Sequence, residues 1–159
     1  MKNRKLLLTS RDIETIEGER RVHFLNPKAD RIRKSLGDHV GLKNLGVHLV
    51  YIEPGSESTE FHKHYTEEEC VFVLSGKGTL YIGDEIFPFG EGDFVGFPVD
   101  TDAHMIVNDG EEILICLVMG QRLTQDVADY PHKNKRLYRY NGKWDLVDLE
   151  AITDPRKPA

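Results

Sequence analysis

Between residues 41 and 120 the chain is cut into short apolar runs separated by Gly, Pro and Asp, and runs of this length bounded by turn residues form strands rather than helices. The pattern predicts strands near 46–53, 59–64, 69–75, 77–82, 85–89, 93–97, 103–108 and 112–119, closed into an all-β barrel. The flanks read differently. Residues 1–40 are charged and weakly patterned, with Ile13 and Ile16, a strand-like Val22–Leu25 and a short helical turn expected over Ala29–Leu36. Such an arm is expected to pack outside the barrel or on a partner. After residue 120, Asn141-Gly142 between two alternating runs signals a type I′ hairpin, which carries the only tryptophan, Trp144. At 159 residues the whole chain, 1–159, is expected to be one domain: an arm (1–40), a barrel core (41–120) and a C-terminal extension (121–159).

The chemistry concentrates in His62, His64, Glu69 and His104. Side chains two apart in a strand share a face, so His62 and His64 project together while Lys63 points away. The segment from Glu69 to Ser75 is read as the next strand, paired with the first as a hairpin across Tyr65–Glu68, and His104 comes from a later strand. Glu68 is the alternative ligand after a one-residue slip of register. Glu69 is preferred because Gly76 then falls at the turn. Three imidazoles and a carboxylate form a nitrogen and oxygen set suited to a divalent transition metal (Zn, Mn, Fe, Ni or Co), with positions left open for water or substrate.

The stretches around His62–Glu69 and Gly92–His104 resemble the two motifs of the cupin superfamily, whose double-stranded β-helix, a jelly-roll-like barrel, binds a divalent metal through three His and one Glu. The resemblance covers about residues 41–120. The runs Gly41-Leu42, Gly46-Val47-His48-Leu49, Glu67–Leu74 and Gly92–Pro98 are similar to a group of small bacterial single-domain cupins that are often provisionally labelled sugar-phosphate isomerases. In that pattern a Gly usually stands two residues after the motif proline. Here Asp100 takes the place, with one additional residue before His104.

The resemblance implies a metal-dependent enzyme on a small polar metabolite, with sugar-phosphate isomerase the leading reading. A dioxygenase-type oxidoreductase using Fe or Ni, or a non-enzymatic small-ligand binding module, are the alternatives. For an isomerase, Glu60 is the first candidate base, sharing strand parity with His62 and His64, and Tyr51 the second. Val71, Val73 and Ile106 are expected at inward positions, and Asn108 beside the site or in a turn. Arg122 and Lys43 are the cations considered for a phosphate, with ordinary exposed charge the preferred reading. His23, His39, His48 and His132 have no partner at ligand spacing and are read as structural or surface residues.

A net charge of −6 argues against nucleic acid as a partner, and the basic run Arg20, Arg21, Arg31, Arg33 and Lys34 is read as a solvated face. Cys70 and Cys116 sit in apolar runs as small hydrophobes, with no disulfide framework and Cys70 facing away from the metal. The basic start Met1–Lys5 is followed by only three consecutive apolar residues, Leu6–Leu8, too few for a leader core. No stretch is long enough to span a membrane. A cytoplasmic protein acting on a small molecule is expected. A homodimer is also expected, since the flanks supply strands whose edges need cover.

Overall fold

Alternation of inward and outward side chains builds a barrel from two facing layers. In the computed structural model residues 6–157 are described; the basic start Met1–Lys5, part of the leader reading, lies outside the described residues. The first layer is a six-stranded antiparallel sheet in the order β1-β2-β3-β10-β5-β8, formed by β1 (Glu19–His23), β2 (Asn26–Ser35), β3 (Leu45–Ile52), β5 (Glu69–Ser75), β8 (Phe94–Phe97) and β10 (Leu114–Gln121). Opposite lie β6 (Lys77–Ile82), β7 (Glu85–Gly90) and β9 (His104–Val107). A further sheet runs β13-β12-β11-β4, from β4 (Lys63–His64), β11 (Gln125–Tyr130), β12 (Lys135–Tyr140) and β13 (Lys143–Asp148). The fold is thus all-β, with short helices α1 (Ser10–Thr15) and α2 (Leu36–Val40) outside the sheets.

The core is where the layers meet. Val50, Ile52, Val73, Leu80, Phe89 and Leu114 pack together there, and Val73 and Leu114 are fully buried. Gly76 makes the β5–β6 turn possible: its φ is +86°, and an added Cβ would stand 2.6 Å from the Ile113 carbonyl oxygen. Asn108 fastens the loop after β9, its amide donating to the carbonyls of Ile52 (2.7 Å) and Glu112 (2.8 Å) while its Oδ1 accepts from Gly110 N–H (3.0 Å). Of the two roles considered for Asn108, the turn is the one it fills. Asn141 and Gly142 both have positive φ, +48° and +79°, as a type I′ turn between β12 and β13 requires.

Two expectations are corrected. Ala29–Leu36 is not a helical turn: residues 26–35 form β2, and α2 starts only at Leu36. Pairing with β3 prevails over local preference, with Arg31 opposite Ile52, Arg33 opposite Val50 and Ser35 opposite His48. The arm therefore lengthens the first sheet. The expected strand 59–64 shrinks to Lys63–His64, which pairs with Ala128 and Asp129 of β11 and not with β5. Its predicted hairpin partner instead lies between β10 and β8, because Tyr65–Glu68 carries the chain from one sheet to another.

Truncating Leu114 to Ala is expected to destabilise the fold by about 2–5 kcal/mol, since it opens a cavity in a fully enclosed site; urea denaturation reads this. A pH effect follows from His23. Burial, then the Arg31 charge, lowers its pKa to about 4 from 6.5, and its Nδ1 accepts from Leu25 N–H at 3.2 Å, which requires the neutral ring. The unfolded chain therefore takes the proton first. The stability held by neutral His23 is intact above about pH 6.5 and is lost as pH falls toward about 4. His23→Gln should flatten the thermal midpoint across that window; an unchanged slope would assign the acid sensitivity elsewhere.

Candidate metal centre

His62, His64 and His104 converge on one oxygen. Their Nε2 atoms lie 3.4, 3.5 and 3.5 Å from Glu69 Oε2. Ligand atoms sharing an ion at about 2.1 Å stand roughly 3.0 Å apart when adjacent in an octahedron and roughly 3.4 Å apart in a tetrahedron. The spacing fits a single ion. His62, Glu69 and His104 form one group of ligand atoms within 4.8 Å of one another, and His64 belongs to a second such group with Glu67 and Asp126, so Glu69 Oε2 is the point at which His64 meets the first group.

The backbone explains the convergence. Glu69 opens β5, His104 opens β9, and His62 forms an isolated bridge to His104, donating its N–H to the His104 carbonyl (3.2 Å) and accepting from the His104 N–H (2.8 Å). Glu68, one residue off, is exposed, and its main-chain N–H donates to Gln121 Oε1 at 3.0 Å. Asp100, in the place of the usual glycine, has φ +55° and donates its N–H to the His64 carbonyl at 3.0 Å. Asp tolerates this left-handed conformation better than most residues, so the altered loop still delivers His104.

The outer ring nitrogens set the tautomers. His62 Nδ1 faces the Glu60 main-chain carbonyl at 2.9 Å, which only accepts, so Nδ1 carries the proton and Nε2 presents a lone pair. His64 Nδ1 likewise meets Asp126 Oδ2 at 2.6 Å. Asp126 Oδ1 is held in turn by the Thr66 hydroxyl at 2.7 Å. His104 lies flat on Phe97, with ring centroids 3.4 Å apart. Its Nδ1 is buried without a partner. Two lone pairs directed at a carboxylate favour a cation between them, and carboxylate–histidine pairing of this type is usual behind metal ligands.

Charge follows the same pattern. Burial pushes the Glu69 carboxyl up, but the His104 and His62 rings beside it hold it well below the usual carboxylate range. Burial works against a charged His64 ring, yet the Asp126 hydrogen bond and the Glu69, Asp126 and Glu67 charges together outweigh it and raise its pKa. Behind this layer, buried Glu67 accepts from Leu123 N–H at 2.6 Å and from Arg139, fastening the loop before Glu69 to β12 and to the start of the C-terminal sheet.

Glu69, His62 and His104 stand on the wall of a cavity of about 240 Å³. Val71 and Ile106, though part of the packed core, also line it, whereas Val73 is sealed in the core. Cys116 also borders it, its thiol pushed up to about 12 by burial. Neither expected base is there. Tyr51 alternates with Val50 and Ile52, which do line the cavity, and so takes the outer face, where Lys34 Nζ stands 5.8 Å from its ring centroid. The Glu60 carboxylate is buried but opens on a separate hollow, 3.9 Å from His132 Nδ1 and 3.7 Å from Lys133 Nζ. Since β4 starts only at Lys63, the strand parity that would align Glu60 with His62 does not extend that far.

Three lining residues were read differently from the sequence. Arg31 and Arg33 turn inward from β2, and His48 does so from β3. Their every-other-residue spacing was the available signal, but charged side chains at alternate positions look like a solvated face. Arg122 is paired with Asp38 at 2.5 Å and reaches His48 Nε2 at 3.4 Å, and Lys43 is exposed.

Comparison with known proteins places this geometry. The family model described as Cupin domain matches residues 48–120. A crystal structure from Acidithiobacillus ferrooxidans, carrying the provisional name sugar phosphate isomerase, is 60% identical, superposes with a TM-score of 0.94 and is matched over 97% of this chain and 99% of that one. A second, from Silicibacter pomeroyi, described as a sugar phosphate isomerase from a cupin superfamily, is 28% identical with a TM-score of 0.80, over 91% of this chain and 96% of that one. Auxin-binding protein 1 of Arabidopsis thaliana is 33% identical over 123 residues, which is 66% of this chain and 58% of that protein. The chain thus spans little more than half the length of this curated relative. The chain belongs to the cupin superfamily.

Asp126→Ala is expected to weaken metal binding by about 10–100-fold, because it frees the His64 ring to turn. Competition of a chelating dye for the ion measures it; an affinity equal to wild type would show that the Asp126 hydrogen bond does not position a ligand.

Proposed function

We propose that this cupin is a metal-dependent enzyme acting on a small polar metabolite, and specifically a sugar-phosphate isomerase. The observation that carries the reading is the convergence of three imidazole nitrogens on the Glu69 carboxylate at the wall of a small cavity. His62, His64, Glu69 and His104 would hold the divalent ion. Such an ion supplies Lewis acidity, polarising a carbonyl and its neighbouring hydroxyl.

The chain's own groups orient the ligands and shape the cavity. The Glu60 carbonyl and Asp126 keep the His62 and His64 rings turned toward Glu69. Val71, Ile106 and Phe97 make the wall around the ligand atoms apolar and limit competing water. A cavity of about 240 Å³ is below the roughly 300–1,000 Å³ that suits drug-sized ligands, which favours a substrate of few heavy atoms. The names carried by the two similar bacterial structures favour the isomerase. The same reading places the protein in the cytoplasm as a homodimer, with Phe94 of edge strand β8 and Trp144 of β13 offering exposed apolar surface. Among the described residues, no helix is long and apolar enough to cross a membrane.

Elemental analysis of wild type beside a His62→Ala/His104→Ala variant tests the metal. Near-stoichiometric transition metal in wild type, lost in the variant, is expected, together with turnover on an aldose and ketose phosphate panel. Iron with oxygen uptake would replace the isomerase by an oxygenase, and a loaded protein inert in both assays would make it a binding module.

A further inference from the structure

Besides His104 Nδ1, three nitrogens of residues lining the cavity are buried and unpartnered: Arg31 Nη1, Arg33 Nε and His48 Nδ1. The His48 proton can be placed. Arg122 only donates, so His48 Nε2 facing it at 3.4 Å is the lone pair and Nδ1 carries the hydrogen. All three residues share one face of paired strands, because Arg31 and Arg33 stand opposite Ile52 and Val50, and His48 stands two residues before Val50 on β3. Ile32, between the two arginines, is exposed on the other face.

Groups within the protein do not answer these donors. Arg33 meets Glu19 through Nη2 at 3.3 Å, at the exposed end of the fork, and its Nε stays free. Among the described residues the Arg31 guanidinium has no ion pair or hydrogen bond. Buried donors in native proteins are nearly always satisfied, by protein groups or by ordered water, so three on one wall mark a place where water or a solute acceptor is held.

The acceptor's chemistry follows from the donor set. A cluster of donors without acceptors, carrying two guanidinium charges that Glu19 beside Arg33 and the Glu69 carboxylate acting on Arg31 offset only in part, repels cations and favours an anion over neutral hydroxyls. Burial and the Arg33, Arg122 and Arg31 charges lower the His48 pKa to about 4, so this ring adds a donor and no charge at neutral pH. A phosphomonoester carries about −1.5 to −2 at pH 7 and three strongly accepting oxygens, and guanidinium forks match phosphate oxygens two at a time.

We propose that Arg31, Arg33 and His48 form a phosphoryl-binding subsite, which seats a small phosphomonoester with its other end toward His62, Glu69 and His104. The reacting end rests on the function proposed above, while the subsite itself does not depend on a bound metal.

Phosphate also binds metals, so the titration uses the full chain in the His62→Ala/His104→Ala background, with inorganic phosphate followed by calorimetry. Binding there is expected to fall by roughly tenfold or more when Arg31→Gln/Arg33→Gln is added. Arg20→Gln, which alters an exposed arginine paired with Asp30, should leave it unchanged. In the otherwise wild-type chain, Arg31→Gln/Arg33→Gln should keep its metal content. If the glutamine pair does not fold, Arg31→Lys/Arg33→Lys reads the same quantity: weaker binding supports the subsite and unchanged binding overturns it. Equal affinity for acetate, no phosphate binding at millimolar concentration, or indifference to the glutamine pair also overturns it. A wild type without metal that still binds phosphate through the two arginines would sink the metal reading and leave this one standing.

Discussion

The two main-chain hydrogen bonds between His62 and His104 are the constraint on which the site depends. They join residues 42 positions apart in the chain, at 3.2 and 2.8 Å, and so fix two imidazoles on adjacent backbones whose rings lie 4.7 Å apart. They also couple the sheet of β6, β7 and β9 to the one that begins with β4. A loop could carry His62 only with a spread of positions. The bridge converts that loop into an edge of the barrel, so the position of the donor set follows from closure of the fold.

Closure alone does not turn the rings. That work falls to a buried polar network behind them, in which Asp126 reaches His64 and Thr66, and Glu67 reaches Leu123 and Arg139. Each of these carboxylates is buried and has hydrogen-bond partners, the condition under which burying charge is tolerated. Asp126 comes from β11 and Arg139 from β12, outside the segment that the Cupin domain family model matches. The C-terminal extension is thus joined to the ligand set through hydrogen bonds, and its hairpin is continuous with the sheet that carries His64.

Strands with apolar inward positions were legible from sequence: residues 69–75 and 77–82 fall where alternation and Gly76 placed them. His62, His64, Glu69 and His104 come together because period-two geometry and two stretches of motif locate them closely. β2 was not legible. Its inward residues Arg31, Arg33 and Ser35 are polar and its outward Ile32 is apolar, so the usual assignment of faces is inverted and the strand loses its signature. The pairing of β4 was hidden for another reason. A two-residue strand has no period to read, and its partner β11 lies about 60 residues downstream in the extension. Glu60 was misplaced by the same shortness, since parity was extended past the point where the strand begins.

The inverted strand also bears on why the barrel tolerates charge in its interior. A buried donor without an acceptor costs about 1–3 kcal/mol, which is large beside the 5–15 kcal/mol by which domains are usually stable. Apolar residues at positions 31 and 33 would extend the core formed by Val50 and Ile52 and remove that cost. Two arginines on that wall, on a strand whose backbone pairing with β3 is otherwise regular, bring charge where apolar side chains would pack. The centre of the barrel is apolar where Val73, Leu80 and Leu114 meet, and polar only where β2, His48 and the histidine cluster border the cavity. The apolar core and the polar cavity wall are thereby kept to separate ends of the same short strands.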